Sequence, residues 1–359
     1  MKSYNHLWET FIDEETIRCC IVKAAIGKKK RKTVKFALEH TDKCIAKTIK
    51  YANNFHNYKH DPVTIKDGSC GKIRSIIVPR FKEQIIHHMV VYTMMPILMK
   101  GMYRHSYASV PNRGAHQAKK VIKKWIKHDP KNTKYCLKMD IKKFFDSIDH
   151  DVLATKLKKT IHDERFLHVA LTILDAKHPG IPLGFYTSQW FANWLLQPLD
   201  HYIKEELHVK HYCRYMDDMV IFGSNKRRLH EVRRKISKYL KKELHLKLKE
   251  NWQVFRFDYV DKNGIHKGRD LDFMGFRFKR DHVILRKSIL MKMSRKARKI
   301  LKKKQYTIHD CRQIMSYKGW IDHTDSYYFY INRIAPNINF DECRGYISSY
   351  TKKHSDKVD

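Results

Sequence analysis

Two adjacent acids inside a hydrophobic hairpin constrain this chain more than any other feature. The segment Tyr215-Met216-Asp217-Asp218 is followed directly by the apolar run 219–222. Burying an ionised carboxylate is costly unless it is paired or bound to a cation, and two of them 4 Å apart repel by about 4 kcal/mol at an effective dielectric near 20. A divalent cation removes both penalties, because Mg²⁺ is usually held by one or two carboxylates and substrate phosphates. The hairpin therefore predicts a metal site for phosphoryl chemistry, with Asp140 as a third ligand.

The charge of the chain predicts a polyanionic partner. Its 359 residues include 74 Lys and Arg against 37 Asp and Glu, a formal net charge of +37. A two-to-one excess over the whole chain exceeds what a merely basic surface needs, and nucleic acid is the usual partner of such a protein. An anionic membrane surface is a weaker alternative, because the sequence has no amphipathic anchor or lipidation motif.

The sequence also indicates in which cellular compartment the protein is expected. The N-terminus lacks the apolar core of a signal peptide, and no apolar run approaches the length of a membrane span. The eight cysteines include no CxxC pair, which argues against a zinc site and for a reducing environment. We therefore expect an intracellular, cytoplasmic protein with no membrane partner.

Periodicity and turn residues predict the elements that carry the acids. Residues 134–149 are expected to form a strand that ends at Asp140 and a loop that leads into a helix. Residues 271–278 are expected to form one strand with Gly275 inside it. The other predicted elements are helices over about 1–55, 82–98, 187–204, 227–246 and from 288 onwards, and a strand over 72–79 after a turn at Gly68 and Gly71.

Seven motifs occur in an order typical of one enzyme family. They are Lys72-x-Arg74 with Ile77-x-Pro79; Ser109-x-Pro111-x-Arg113-Gly114-x-His116; Lys138-x-Asp140 with Phe145 and Asp149; Gly180-x-Pro182-x-Gly184 with Asn193; Arg214 with Asp217 and Asp218; Lys249; and Phe273-x-Gly275-Phe276. Over about residues 60–330 they resemble the successive motifs of a reverse transcriptase. A lone YMDD is a weak signal, whereas seven motifs in order are a specific one.

The resemblance implies an α+β fold of the right-hand polymerase type, with fingers, a palm in which an antiparallel sheet packs on helices, and a helical thumb. The boundaries that it implies are a basic helical extension over 1–60, fingers over 61–133, a palm over 134–282 with fingers elements interleaved, and a basic thumb over 283–359. It also implies an RNA-directed DNA polymerase, bacterial or phage-encoded. The expected partners are template RNA, the cDNA/RNA duplex and dNTPs.

The acids match the catalytic positions of the family, for which the resemblance implies two Mg²⁺ ions, replaceable by Mn²⁺. The implied ligands are Asp140, Ile141 through its main-chain carbonyl, Asp217 and Asp218. In such a site one ion lowers the pKa of the primer 3′-hydroxyl, and the other stabilises the pentavalent phosphorus and the leaving pyrophosphate. The alternative is capped turn aspartates, which suits Asp146 or Asp149 better than the three acids.

A second set of residues is expected to contact the incoming dNTP. It comprises Lys72, Arg74, Phe145, Leu183, Gly184, Gln189 and Lys249. Lys72 and Arg74 would supply positive charge for the triphosphate, Arg by bidentate donation, although a solvated strand face is the alternative. Phe145 lies five residues after Asp140, where the family places an aromatic ring that collides with a 2′-hydroxyl. Phe144 is expected to point the other way, into the core.

A third set is expected to bind nucleic acid. It comprises Arg113, Tyr215, Met216, Gly275, Arg295, Lys296, Arg298 and Lys299. Gly275 resembles the primer grip, where a missing side chain lets the backbone approach the primer. Residues 286–304 contain ten basic residues, no acid and an apolar stripe at helical spacing. Such a helix offers one face to a duplex backbone, and its affinity should fall steeply with salt.

Residues 180–184, the palm loop of the resemblance, indicate a subgroup of the family. Leu183 stands where retroviral and group II intron enzymes carry Gln. Leu183-Gly184 followed by three residues and Ser188-Gln189 resembles reverse transcriptases of diversity-generating retroelements, and the stretch 316–327 is similar to their thumb. Those enzymes copy a template RNA with errors at adenines and act with a small basic accessory protein. At Leu183 itself, simple packing under the helix expected over 187–204 is an equal alternative.

Other subgroups remain open. Bacterial phage-defence reverse transcriptases, which work with a structured non-coding RNA, share parts of the pattern. A catalytically idle, maturase-like RNA-binding protein would be expected to have a damaged acid triad, and here all three acids are intact. A retron enzyme is a further option, although its Val-Thr-Gly motif is not found in the thumb region.

Overall fold

The computed structural model describes residues 3–66, 73–303 and 306–355 of the chain. The chain forms two compact units. The first comprises Met1–Arg113, Leu137–Ile221 and Arg227–Gln253, and the second comprises Gly114–Cys136, Phe222–Lys226 and Val254–Asp359. The boundaries of extension, fingers, palm and thumb stay a prediction. Lys72 and the turn expected at Gly68 and Gly71 lie outside the described residues.

Helices and a mainly separate set of strands make up the described chain, which confirms the α+β class. The helices are α1 (Leu7–Ile12), α2 (Glu14–Ala25), α3 (Lys32–Glu39), α4 (Thr41–Asn53), α5 (Phe81–Met99), α6 (Ala115–His128), α7 (Phe144–Ser147), α8 (His150–Thr160), α9 (Glu164–Leu174), α10 (Tyr186–Leu195), α11 (Gln197–His201), α12 (Lys226–Glu243), α13 (Lys287–Leu301), α14 (Ile308–Ile321), α15 (Tyr327–Arg333) and α16 (Phe340–Ser355). The strands are β1 (Val63–Lys66), β2 (Ile73–Ile76), β3 (Tyr135–Asp140), β4 (His211–Tyr215), β5 (Asp218–Gly223), β6 (Gln253–Arg256), β7 (Tyr259–Val260), β8 (His266–Lys267), β9 (Leu271–Phe273), β10 (Phe276–Phe278) and β11 (Val283–Leu285).

Apolar spacing explains the helices at the start of the first unit. Ile17, Ile21 and Ala24 follow one face of α2 and are buried, and α2 packs against α5. The carboxylate of Asp13 caps α2 by accepting a hydrogen bond from the N–H of Thr16 at 2.8 Å. These helices confirm the predictions for 1–55 and 82–98. The exposed antiparallel pair of β1 and β2, in which Ile65 pairs with Arg74, lies between α4 and α5 in the chain.

The four-stranded sheet positions the acids. Its order is β4-β5-β3-β6. As predicted, β3 ends at Asp140, and it buries Leu137 and Met139. Only two residues join β4 to β5, and Met216 adopts a left-handed φ of 57° there. The connection therefore places Asp217 in a tight turn and Asp218 at the first position of β5.

The long helix expected over 187–204 is interrupted. α10 ends at Leu195, α11 begins at Gln197, and a π-helical turn follows over Tyr202–Glu206. Pro198 explains the break, because it has no N–H to offer to the carbonyl of Trp194 four residues earlier. The ammonium of Lys156 donates a hydrogen bond to that carbonyl instead.

The single strand expected over 271–278 is wrong. β9 and β10 are antiparallel strands in which Phe273 pairs with Phe276, and β10 also pairs with β11. Met274 and Gly275 form the two-residue turn, with φ of 52° and 86°. Two left-handed residues in succession are the geometry of a tight hairpin turn, which favours glycine. A Cβ at Gly275 would also lie 2.9 Å from Cδ1 of Ile289.

Two further observations concern the described residues as a whole. None of their helices is both long and apolar enough to cross a membrane. No disulfide bond joins any two of the seven cysteines among them.

Candidate active site

The first unit brings the three predicted acids together. Asp140 ends β3, and Asp217 and Asp218 lie where the neighbouring strand β5 begins. The N–H of Ile141 donates to the main-chain carbonyl of Asp217 at 3.4 Å. The backbone thus ties the end of β3 to the turn that carries the other two acids.

The electrostatics of the acids indicate an affinity for cations. Burial, followed by the neighbouring carboxylates of Asp140 and Asp218, raises the pKa of Asp217 to about 7. Oδ1 of Asp140 is buried and lies 2.5 Å from Nζ of Lys249, but the pair is not aligned as a hydrogen bond. Clustered carboxylate oxygens that repel each other suit a hard divalent cation. The donor set therefore fits the metal expected from the sequence.

Lys249, which the sequence assigns to the dNTP, lies beside the acids. Its N–H donates to the main-chain carbonyl of Asp140 at 2.8 Å, and the N–H of Lys142 donates to the carbonyl of Lys247 at 2.8 Å. Between these bonds Ile141 and Leu248 form an antiparallel bridge. This short ladder ties the backbone of Lys249 to that of Asp140 and places the ammonium of Lys249 beside the Asp140 carboxylate.

A buried polar network behind the turn was not expected from the sequence. Arg214 and Asp200 are both fully buried and form an ion pair with Nη2···Oδ2 at 2.6 Å. Tyr212 donates to Oδ1 of Asp200 at 2.7 Å. Nη1 of Arg214 donates to Oδ1 of Asn193 at 2.9 Å and to the main-chain carbonyl of Met216 at 3.1 Å. The network thereby holds the turn that presents Asp217.

Two members of this network, Arg214 and Asn193, belong to the sequence motifs, and that membership is the signal for the network that the sequence offers. Asp200 lies in a helical segment with no motif of its own, and a charged residue in such a segment is usually exposed.

Phe144 and Phe145 occupy different environments. Phe144 is 3% exposed, whereas Phe145 is half-buried, and their ring centroids lie 5.5 Å apart. The N–H of Ile181 donates to the carbonyl of Phe145 at 2.8 Å. A Cβ at Gly180, where φ is 79°, would lie 2.4 Å from the same carbonyl oxygen. Glycine is therefore required for the palm loop to lie against the backbone of Phe145.

Of the two nearby aspartates for which a turn cap is the alternative, Asp149 has that role and Asp146 does not. Asp149 caps α8 by accepting hydrogen bonds from the N–H groups of Asp151 and Val152 at 2.8 and 3.2 Å. Asp146 forms an ion pair with Lys177.

Leu183 and Gly184 lie against the chain that leaves the β1–β2 hairpin. The N–H of Ile77 donates to the carbonyl of Leu183 at 2.7 Å. A Cβ at Gly184, where φ is 109°, would lie 2.2 Å from the carbonyl oxygen of Ile77. Gly184 and Gln189 line a cavity of about 300 Å³. The loop is thus fixed to the segment that follows Arg74, which is exposed on β2.

The predicted nucleic-acid contacts of the first unit are partly engaged within the protein. Nη1 of Arg113 donates to the carbonyls of Tyr103 and Ser106 at 2.7 and 3.2 Å. Tyr215 is half-buried, and burial raises the pKa of its hydroxyl. Met216 is 8% exposed. Arg113 therefore has a structural role whether or not it also contacts nucleic acid.

The basic helix α13 in the second unit presents some of its charges and uses others internally. Met293, Ala297 and Ile300 form its buried stripe. Arg295, Arg298 and Lys299 are exposed. Lys296 instead pairs with the buried Asp310, with Nζ···Oδ1 at 2.8 Å. The four predicted contacts therefore divide into three exposed cations and one internal ion pair.

The second unit also contains a group of potential metal ligands. One ligand atom from each of Asp258, His266 and Asp281 lies within 4.8 Å of the others. Oδ2 of Asp258 already accepts a hydrogen bond from the N–H of Arg280 at 2.7 Å, and Asp281 is exposed. Exposed groups of this kind are common without a bound ion, and this one was not among the predicted sites.

Comparison with protein families gives a match over most of the motif region. Residues 59–278, more than half of the chain, match the family described as reverse transcriptase (RNA-dependent DNA polymerase). The matched range contains all three acids. It is the family that the order of the motifs predicted.

Two curated proteins of Escherichia coli are similar over parts of their length. The chain is 23% identical over 246 residues to Protein YkfC of strain K12, covering 56% of this chain and 64% of that protein. It is 28% identical over 167 residues to the Retron Ec73 reverse transcriptase, covering 42% of this chain and 49% of that protein. The chain therefore spans between about half and two thirds of the length of these relatives.

Solved structures of telomerases are also similar. Apo telomerase from Candida tropicalis matches with a TM-score of 0.49 and 14% identity, covering 77% of this chain and 58% of that one. Telomerase from Candida albicans, in complex with a TWJ fragment of telomeric RNA, matches with a TM-score of 0.46 and 12% identity, covering 82% and 58%.

Proposed function

The chain belongs to the reverse transcriptase (RNA-dependent DNA polymerase) family, and on that premise we propose that it synthesises cDNA on an RNA template by two-metal nucleotidyl transfer. The proposal rests on one observation: Asp140, Asp217 and Asp218 lie together where β3 ends and the neighbouring strand β5 begins. Three intact acids, one with a pKa raised by burial and its neighbours, argue against an idle, maturase-like protein. Template RNA, the cDNA/RNA duplex and dNTPs are the partners that this activity requires.

The family depends on divalent metal, and we assign Mg²⁺ to this chain, with Mn²⁺ as a substitute. Asp140, Asp217, Asp218 and the main-chain carbonyl of Ile141 would hold two ions. When bound, such ions lower the pKa of the primer 3′-hydroxyl and stabilise charge on the phosphoryl group and pyrophosphate. Arg74 supplies positive charge to the triphosphate from the exposed face of β2, and Lys249 is placed to do so from its position beside Asp140.

Primer extension on an RNA template tests the activity. With all four dNTPs and Mg²⁺ we expect elongation to cDNA, no elongation after chelation of the metal, and recovery when Mg²⁺ or Mn²⁺ is restored. The reaction is run with the isolated chain and with its cognate RNA and accessory factor added, because either partner can be required. Absence of synthesis in every condition, from a folded protein that binds RNA, would contradict the proposal.

We assign the finer role to a diversity-generating retroelement with errors at adenines. Leu183, whose carbonyl is bound by the N–H of Ile77, supports it, because Leu offers no polar group to the nascent base pair. The similarity to the Retron Ec73 reverse transcriptase favours the alternative, a bacterial defence enzyme that works with a structured non-coding RNA. The two roles differ in partner: a small basic accessory protein in the first, the cognate RNA in the second.

Leu183→Gln distinguishes a role in fidelity from simple packing. A site that hydrogen-bonds its substrate rejects wrong partners more strongly than an apolar wall, because a mismatch leaves polar groups unpaired. We expect the variant to misincorporate less, chiefly opposite template adenine, with correct incorporation unchanged. Sequencing cDNA made by both proteins on one template measures this. Leu183→Met is the control of similar volume without an amide, and identical error spectra for all three proteins would assign Leu183 to packing.

The exposed face of α13 should bind the nucleic-acid backbone without reading its sequence. Substituting Arg295, Arg298 and Lys299 by Gln removes three exposed cations. We expect weaker binding to all sequences and a log-affinity against log-salt slope reduced by about one unit per lost phosphate contact. Lys296→Gln is the matched control: it breaks the internal pair with Asp310, so it should lower thermal stability more than the salt slope. A sequence-selective loss in the triple variant would contradict backbone binding.

A further inference from the structure

Another cavity in the first unit lies among its N-terminal helices. Its volume is about 520 Å³, and α3, α4 and the start of α5 bound it. Phe36, Tyr51 and Phe81 contribute aromatic rings to the wall. A volume of this size is typical of a site for a small organic group. None of the lining residues belongs to the predicted polymerase site, so the cavity needs a separate explanation.

Cationic side chains line the same cavity. They are Lys47, Arg80 and Lys82, and no lining residue carries a carboxylate to neutralise them. Nζ of Lys47 lies 5.8 Å from the ring centroid of Phe36, and Nζ of Lys82 lies 4.8 Å from that of Tyr51. The cavity thus combines an apolar, aromatic wall with positive charge at the rings.

We propose that this cavity binds an unpaired nucleobase of single-stranded RNA, while Lys47, Arg80 and Lys82 hold the adjoining phosphates. Aromatic rings stack on any base, because every base has a π-face, and cations beside them follow the backbone. The basic run 28–32 leads directly into α3 and extends the positive charge along the chain. A basic accessory protein would be repelled by these cations, so charge favours RNA as the occupant. The site retains RNA and takes no part in nucleotidyl transfer.

Binding of a single-stranded oligoribonucleotide, without dNTPs or primer, tests the proposal. Phe36 is 47% exposed, so Phe36→Ala should leave the fold intact. We expect its Kd to rise about 5- to 150-fold, the range that corresponds to loss of one base–aromatic stack. Phe36→Trp, which retains a stacking surface, should bind as the wild type does.

Tyr92→Ala is the matched control. Tyr92 is 39% exposed and has Nζ of Lys23 4.8 Å from its ring centroid, yet it does not line the cavity. It therefore reproduces an exposed ring under a lysine without the pocket, and its loss should leave the Kd unchanged. Photocrosslinking of an oligoribonucleotide that carries iodouridine should label Phe36, Tyr51 or Phe81.

Two results would overturn the proposal. One is a wild-type Kd for Phe36→Ala, or a loss equal to that of Tyr92→Ala, which would make an apolar protein segment the better occupant. The other is crosslinking confined to residues outside α3, α4 and α5. Both measurements are made without polymerisation. Absence of DNA synthesis would therefore not contradict RNA binding in this cavity, and absence of RNA binding here would not contradict DNA synthesis.

Discussion

Asp217→Asn is expected to abolish DNA synthesis while leaving the protein folded and able to bind RNA. The variant removes a charged oxygen ligand from the metal site, and the metal contributes several kcal/mol of transition-state stabilisation. At about 1.4 kcal/mol per tenfold change in rate, we expect a loss of at least about 1,000-fold. Primer extension under single-turnover conditions, with RNA binding measured in parallel, gives both quantities.

The stability of the same variant provides a second measurement. Because burial and two neighbouring carboxylates disfavour the charged form of Asp217, its replacement by Asn should leave the metal-free protein as stable as before, or more so. Asp146→Asn is the control, since that exposed carboxylate pairs with Lys177 and should be dispensable for synthesis. Retained synthesis in Asp217→Asn would remove the metal assignment, whatever the stability.

Phe145→Ala is expected to admit ribonucleotides. If the half-buried ring of Phe145 meets the sugar, its loss removes a steric barrier to the 2′-hydroxyl. We expect the ratio of rNTP to dNTP incorporation to rise by roughly 100-fold, equivalent to about 2.7 kcal/mol of lost discrimination, with modest damage to the overall rate. Separate kcat/KM values for each nucleotide on one primer–template measure the ratio.

Phe144→Ala is the control that separates the sugar gate from the core. Phe144 is 3% exposed, so its truncation should destabilise the protein by about 3–5 kcal/mol and leave sugar selection unchanged. The opposite pattern, with Phe144 changing the ratio and Phe145 only the stability, would exchange their roles.

The elements that carry the acids could be predicted because their signals are local. Asp140 follows an apolar strand, and the paired acids lie between two others, so periodicity alone places them at strand ends. Their meeting depended on the order of the motifs, since nothing in the spacing shows that β3 lies beside β5. The contact between Lys249 and Asp140 was beyond prediction for the same reason: the residues are far apart in the chain and meet only through the ladder of Ile141 and Leu248.

The helix expected over 187–204, the strand expected over 271–278 and the role expected for Lys296 differ from the structure for separate physical reasons. Pro198 was visible in the sequence, but the burial of the surrounding residues made one long helix the simpler interpretation. Apolar residues alternate at 271 and 273 and again at 276 and 278, and because only Met274 and Gly275 separate the two runs, the segment resembles a single strand. The left-handed φ of Met274 and Gly275 reverses the chain there, and for Met274 the sequence gives no sign of it, because its side chain does not favour that conformation. Lys296 looked like its exposed neighbours because Asp310 lies in the next helix.

The buried pair of Arg214 and Asp200 restricts the paths along which this sequence can change. Losing either partner alone leaves an uncompensated charge in the core, which destabilises the fold by about 3–5 kcal/mol. That is a large part of the free energy of unfolding of a typical domain, about 5–15 kcal/mol. A replacement at one position therefore survives only with a matching replacement at the other. It must also restore a donor to the carbonyl of Met216. We therefore expect the two positions to change only together in any related sequence that keeps the turn of Asp217.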